Sequence, residues 1–375
     1  MISCSRSALV CVVAGLAGSL LLGSAQQASA QDTFSNVERI VAVGDVHGGF
    51  DQFVTVLRSA GVVDGRNRWS GGRTHLVQTG DVLDRGGSSR KVMDLLMRLE
   101  REANRAGGRV HALIGNHEVM NILGDLRYVS AEEYAAFRTA DSESLRERAY
   151  EVLADPAQKD TSGYRDQWFK DHPPGWVEHR QAFSPNGSYG KWIRQHRAVV
   201  RINDTMFLHG GIGPTVASLS VEDINQRIRD ELNKPDTIQD GLSGDDGGPL
   251  WYRGLAQDSE SELEGFVDRL LQSFGVRHIV VGHTIVAPAI VPRLGGKVIT
   301  IDVGLSSYYG GPPACLLIEG GRFMALHRGT RVDLPFDGNV RTYLQRIAAL
   351  DPAPSPLLNV IEQLAPPVPE PVGGR

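Results

Sequence analysis

The chain has 375 residues, 41% of them apolar and 22% charged, with a formal net charge of −5. That composition is globular and supports a sizeable buried core, in one large domain or two small ones. The mild acidity comes without an extended basic block, which argues against nucleic acid as the main partner, because backbone affinity rests on clustered Lys and Arg.

Residues 1–30 stand apart from the rest. Arg6 precedes an apolar run from Ala8 to Leu22, and Ala28-Ser29-Ala30 forms a small-residue cleavage site before Gln31. This is the pattern of a secretory signal peptide, so the mature protein is expected to be secreted or periplasmic. The apolar run is short for a membrane span and lacks strongly charged flanks, so no stable membrane insertion is expected after cleavage. Cys4 and Cys11 leave with the signal, and Cys315 alone remains, which excludes an internal disulfide. It lies in the apolar stretch Ala314 to Ile318 and reads as a buried strand residue.

Residues 31–350 read as one domain, in which short apolar segments run straight into polar loops. Arg39 to Val43 leads into Gly44-Asp45-Val46-His47-Gly48, and Leu76 to Thr79 into Gly80-Asp81-Val82-Leu83-Asp84-Arg85-Gly86. Arg109 to Ile114 leads into Gly115-Asn116-His117-Glu118. Met206 to Leu208 leads into His209-Gly210-Gly211, and His278 to Val281 into Gly282-His283-Thr284. Short, β-branched runs of this kind suit strands buried on both faces. Helical patterns lie between them at Phe50 to Ala60, Ser88 to Ala106, Val221 to Leu232 and Ser261 to Phe274. The alternation predicts an α/β architecture.

Residues 125–188 carry no strand-then-loop unit and read as a mostly helical cap inserted beside the site. Its aromatics Tyr164, Trp168 and Trp176 could line a groove, although packing within the cap is the simpler reading. Two hairpins close the domain. Ile290 to Leu294 turns through Gly295-Gly296 into Lys297 to Ile301, and Cys315 to Glu319 through Gly320-Gly321 into Phe323 to Leu326. Two packed sheets flanked by helices are therefore expected, with an antiparallel C-terminal part. Residues 351–375 are a Pro-rich flexible tail in which only Leu357 to Leu364 can form a helix.

The loops after those five strands bear Asp, His or Asn beside glycine. Side chains at the same edge of neighbouring strands converge in space, and open α/β sheets bind ligands at their C-terminal strand ends. Glycine permits the sharp turns and close backbone approach that an ion or phosphate needs. Carboxylate and imidazole together suit borderline divalent ions such as Mn, Fe and Zn, and the lack of thiolates disfavours a structural zinc knot. Taken singly, His47 or His283 reads as a hydrogen-bonding residue, Asp81 or Asp84 as a helix N-cap, and Arg85 as a surface ion-pair partner. In one ordered series those separate readings must all hold at once.

The blocks Gly-Asp-Val-His-Gly, Gly-Asp-Val-Leu-Asp-Arg-Gly, Gly-Asn-His-Glu, His-Gly-Gly and Gly-His, in this order, resemble the calcineurin-like metallophosphoesterases. The intact second and third blocks look like the phosphoprotein-phosphatase branch. The long gap after the third, with Pro249-Leu250-Trp251-Tyr252-Arg253-Gly254, is closest to the bacterial Shewanella-like phosphatases. The resemblance implies a four-layer α/β/β/α sandwich of two mixed sheets. It also implies two divalent metal ions of the Mn, Fe or Zn type. Asp45 and His47 would hold the first ion, Asp81 would bridge, and Asn116, His209 and His283 would complete the second. A hydroxide between the ions would attack phosphorus in line. His117 would protonate the leaving oxygen, Asp84 would orient His117, and Arg85 and Arg253 would bind phosphate oxygens.

Two departures bear on specificity. Val119-Met120-Asn121 follows the third block where serine/threonine phosphatases soon carry an arginine, and the loop from Asp302 to Gly310 lacks their asparagine-tyrosine-cysteine character. The expected substrate is therefore a phosphorylated small molecule or a phosphoprotein, with phosphotyrosine as open as phosphoserine; Tyr308 and Tyr309 could stack on an aromatic leaving group. Hydrolysis of phosphodiesters or dinucleoside polyphosphates is the alternative activity, and non-catalytic metal-dependent binding the alternative class.

Overall fold

The computed structural model describes residues 32–364, so the expected signal segment 1–30 and the end of the Pro-rich tail, 365–375, lie outside the described residues. The strands are β1 (Thr33–Phe34), β2 (Arg39–Val43), β3 (His75–Gln78), β4 (Arg109–Ala112), β5 (Val199–Ile202), β6 (Thr205–Leu208), β7 (His278–Val281), β8 (Val291–Arg293), β9 (Val298–Thr300), β10 (Ala314–Glu319), β11 (Arg322–His327) and β12 (Thr330–Asp333). They form two mixed sheets, in the orders β1-β5-β6-β7-β9-β8 and β12-β11-β10-β2-β3-β4.

Strands β2, β3 and β4 are parallel, with Val41 opposite Leu76 and Leu76 opposite Val110. Strands β6, β7 and β9 are also parallel. Parallel strands need cover on both faces, and β2 and β6 are almost wholly buried along their length. Both C-terminal hairpins expected from their paired glycines form, β8 with β9 and β10 with β11. At the first, Leu294, Gly295 and Gly296 all have positive φ, at 50°, 64° and 87°.

The helices are α1 (Phe50–Ser59), α2 (Ser89–Arg105), α3 (Asn116–Leu123), α4 (Ala131–Ala136), α5 (Ser142–Leu153), α6 (Tyr164–Asp171), α7 (Trp176–Phe183), α8 (Ser188–Ile193), α9 (Val221–Asn233), α10 (Gly254–Gln257), α11 (Glu260–Phe274), α12 (Val340–Ala348) and α13 (Leu358–Gln363). In α2, Val92, Leu96, Leu99 and Ala103 are buried at helical spacing, the stripe that seats an amphipathic helix on a sheet. One apolar core includes residues of both sheets, among them Val41, Leu76, Phe207, Val280 and Leu316. Cys315 is buried within it. Among the described residues, no helix is long and apolar enough to cross a membrane.

Helices α4 to α7 occupy the segment expected as a cap, and α8 begins at its last residue. There Tyr150, Ala154 and Trp168 form a small cluster of their own, joined by Tyr164. The Trp168 ring stacks on His172 at 4.0 Å, and Trp176 meets the same imidazole edge-on at 4.5 Å. These aromatics pack on one another.

Candidate metal centre

The C-terminal ends of β2, β3, β4, β6 and β7 bring their loops together. His47, Asp81 and His117 form one buried set, and Asp81, His209 and His283 a second, each with ligand atoms within 4.8 Å of one another. Asp81 belongs to both. Its Oδ2 lies 3.7 Å from His47 Nε2, 3.8 Å from His117 Nε2 and 3.3 Å from His209 Nε2. Asp45 joins the first set, with Oδ2 3.8 Å from His47 Nε2. Asn116 joins the second, with Oδ1 2.9 Å from His209 Nε2.

The outward hydrogen bonds of the rings decide which nitrogen faces inward. His47 Nδ1 donates to the Leu83 carbonyl at 2.8 Å, His209 Nδ1 to the Thr79 carbonyl at 2.9 Å, and His283 Nε2 to the Trp251 carbonyl at 3.2 Å. Each ring then presents an unprotonated nitrogen to the centre. His209 Nε2 and His283 Nδ1 face each other at 3.0 Å, beside the Asn116 and Asp81 oxygens. These lone pairs repel until something positive sits among them, and a divalent cation satisfies them together. The residues fit a metal.

The backbone shows what this convergence costs. His47, Asp81, Asp84, Arg85 and His283 all sit at positive φ, from 43° to 68°. For residues other than glycine such conformations cost about 1–3 kcal/mol each and persist only where surrounding structure enforces them. Glu118 supplies part of that enforcement, since its carboxylate accepts from the N–H groups of Gly115 and Asp81 at 2.8 Å and of Val82 at 2.9 Å. At Gly115, an added Cβ would lie 2.5 Å from the Asp81 nitrogen, so only glycine fits that approach.

Beside the donors lies a second arrangement. His117 Nδ1 meets Asp84 Oδ2 at 2.5 Å, and Asp84 Oδ1 accepts from Asn121 Nδ2 at 3.0 Å. Burial opposes protonation of His117, but the charges of Asp81 and Asp84 and the Asp84 hydrogen bond outweigh it and raise the imidazole above its ordinary value. Arg85 projects over the Tyr128 ring at 3.8 Å and faces Tyr308 at 5.4 Å. Its Nε is buried without a hydrogen-bond partner, and among the described residues no carboxylate pairs with its guanidinium. Arg253 is engaged differently. Its Nη1 donates to the His283 carbonyl at 2.7 Å and to Thr284 Oγ1 at 3.0 Å, which braces the turn carrying His283.

Three residues outside the expected set touch the site. Asn121, read in the sequence only as a departure, orients Asp84. Tyr128 lies between Arg85 and His117, 5.1 Å from the imidazole. Asp302 is buried against Asp45 and caps its own loop through Gly304 N–H at 2.9 Å. Burial raises the Asp302 carboxyl to about 6. A signal for Asp302 was present, because it too follows a strand and precedes a glycine two residues on.

Two mixed sheets flanked by helices, with buried His, Asp and Asn donors at their strand ends, define a metallophosphoesterase, a class of hydrolases. The chain belongs to the calcineurin-like phosphoesterase family, whose model matches residues 38–287. Within that family it groups with the Shewanella-like phosphatases. It is 32% identical over 295 residues to Shewanella-like protein phosphatase 2 of Arabidopsis thaliana, covering 76% of this chain and 75% of that protein. It is 28% identical to Shewanella-like protein phosphatase 1 of Plasmodium berghei, covering 77% and 74%. Among solved structures, a cold-active protein-tyrosine phosphatase of a psychrophilic Shewanella superposes with a TM-score of 0.62 at 30% identity, over 81% of this chain and 82% of that one.

Proposed function

We propose that this protein hydrolyses phosphomonoesters with a pair of divalent ions. Asp45 and His47 would hold one ion and Asn116, His209 and His283 the other, with Asp81 shared between the two sets. Ions of the Mn, Fe or Zn type held there would supply Lewis acidity toward phosphate and a nucleophilic water near neutral pH. The protein's own part is to seat and protonate. Arg85 grips the phosphate oxygens with its planar fork. Its buried Nε lacks a partner, as a guanidinium waiting for an anion does. His117 delivers the proton to the leaving oxygen, and Asp84 keeps Nε2 aimed at it.

The observation that carries this reading is the His117–Asp84 pair at 2.5 Å, with Nε2 turned to the same Asp81 oxygen that His47 and His209 face. A proton donor beside a cation-binding set suits a leaving group that departs as an alkoxide or phenolate. Among monoesters, the aromatic surround of Tyr128, Tyr308 and Tyr309 favours aryl phosphates, including phosphotyrosine. The test compares p-nitrophenyl phosphate with its bis-ester on mature protein whose metal content is measured, and phosphotyrosine with phosphoserine peptides. Faster turnover of the monoester with about two ions per chain is expected, and a preference for the bis-ester would sink the reading. Arg85→Ala should weaken inhibition by inorganic phosphate; an unchanged inhibition constant removes the clamp. We also propose export with cleavage before Gln31, which N-terminal sequencing of the native protein reads directly.

A further inference from the structure

Helix α4 opens with Ser130-Ala131-Glu132-Glu133, the spacing of a capping box. Only half of the box forms: Glu133 N–H donates to Ser130 Oγ at 3.1 Å, and no return bond is made. The Glu133 carboxyl is instead fully buried, with neither oxygen in a hydrogen bond. Burying an unsatisfied polar group destabilises a fold, so its surroundings need a reason.

They are the turn that carries the proton donor's partner. The Asp84 backbone N–H and the Ser89 hydroxyl face the Glu133 carboxyl without closing a well-formed bond, and Ser89 Oγ is itself buried and unpartnered. Burial first, then the Asp84 charge, lifts the Glu133 carboxyl well above the carboxylate range, with Glu118 adding to the effect. A buried carboxyl whose ionisation is opposed on both counts thus abuts Asp84. The rest of the segment is seated on the same turn. The Glu132 side chain fills the space that a Cβ on Gly87 would take. Arg90 Nη1 donates to the Ala136 carbonyl at 2.6 Å, and Arg85 N–H to the Tyr128 carbonyl at 3.0 Å. Asp84 and Arg85, at φ 68° and 67°, are held in conformations that need such outside support.

We propose that Glu133 is a positioning residue, which from the inserted segment holds the Asp84–Arg85 turn in the geometry that aims Asp84 at His117, so that proton delivery depends on the insertion being docked. This rests on the reading of His117 as proton donor to a monoester leaving group.

The test uses Glu133→Leu and Glu133→Gln with phenyl phosphate, whose leaving group needs a proton, and 2,4-dinitrophenyl phosphate, whose leaving group does not. Melting temperature and metal content are measured alongside. Leucine fills the space and removes the two buried unbonded oxygens of Glu133, so the variant should fold and keep its metal. It should nonetheless lose up to roughly 100-fold in kcat on phenyl phosphate, the scale of a small misplacement, with little loss on the dinitrophenyl ester. Glutamine, which keeps a side-chain oxygen facing the Asp84 N–H, should stay near wild type on both. Equal losses on the two esters, no loss on either, or Glu133→Gln falling as far as Glu133→Leu would each overturn the proposal. Glu133→Met is read the same way should Glu133→Leu not fold. His117→Asn runs in parallel: if it lacks leaving-group dependence, both readings fall, and if it shows the dependence while Glu133→Leu does not, this one falls alone.

Discussion

Asp81 is the residue on which both donor sets depend, because its Oδ2 faces His47, His117 and His209 at once. Asp81→Asn keeps the shape and removes the charge, so the protein should fold, lose bound metal and lose turnover together. Near-normal rates at full metal content would refute the shared role. His117 separates from the donors by its strong tie to Asp84. His117→Asn should cut the rate on a poor leaving group by roughly two to four decades, the range for general acid–base catalysis, while metal content holds. An unchanged rate would remove it as the acid.

At the scale of elements, the strands that position the site were legible because each is a short β-branched run ending in a loop of fixed chemistry. Strands β2, β3, β4, β6 and β7 lie where those runs predicted them. Strand β1 has two residues and no pattern to read, and β5 follows a charged stretch whose pairing with β6 only the sheet reveals. Helix α3 was hidden for a different reason: it begins at Asn116 itself, so a motif that reads as a loop is the first turn of a helix. Side chains acting at second hand were the hardest to see. Asn121 and Glu133 both lie against Asp84, and nothing in their local spacing announces a partner so far along the chain. The insertion holds one more such residue. His179 in α7 is fully buried among Tyr134, Phe137 and Phe183, with neither ring nitrogen bonded. Burial, with help from Arg180, lowers it to about 3. The unfolded chain therefore takes up this proton first, so stability held above the ordinary histidine value drains away as pH falls toward about 3. His179→Phe should move the acid-unfolding midpoint to lower pH and raise the melting temperature; an unmoved midpoint counts against the assignment.

For the whole molecule, the donors are divided between sheets. Asp45, Asp81 and Asn116 follow β2, β3 and β4 of one, and His209 and His283 follow β6 and β7 of the other. A ligand that binds only the folded state adds stability by mass action, about 2.7 kcal/mol when free ion is a hundred times its dissociation constant. Chelation should therefore lower the melting temperature by several degrees, and restoring Mn, Fe or Zn should recover it. Identical melts with and without chelator would show that no ion joins the two halves.

That division also sets an order of events. A chain with only the β2–β4 half assembled offers part of the donor ring and grips an ion weakly, and so does one with only the β6–β7 half. A complete donor ring then exists only once the halves have met, so ion capture would come late in folding and ion release would be linked to unfolding.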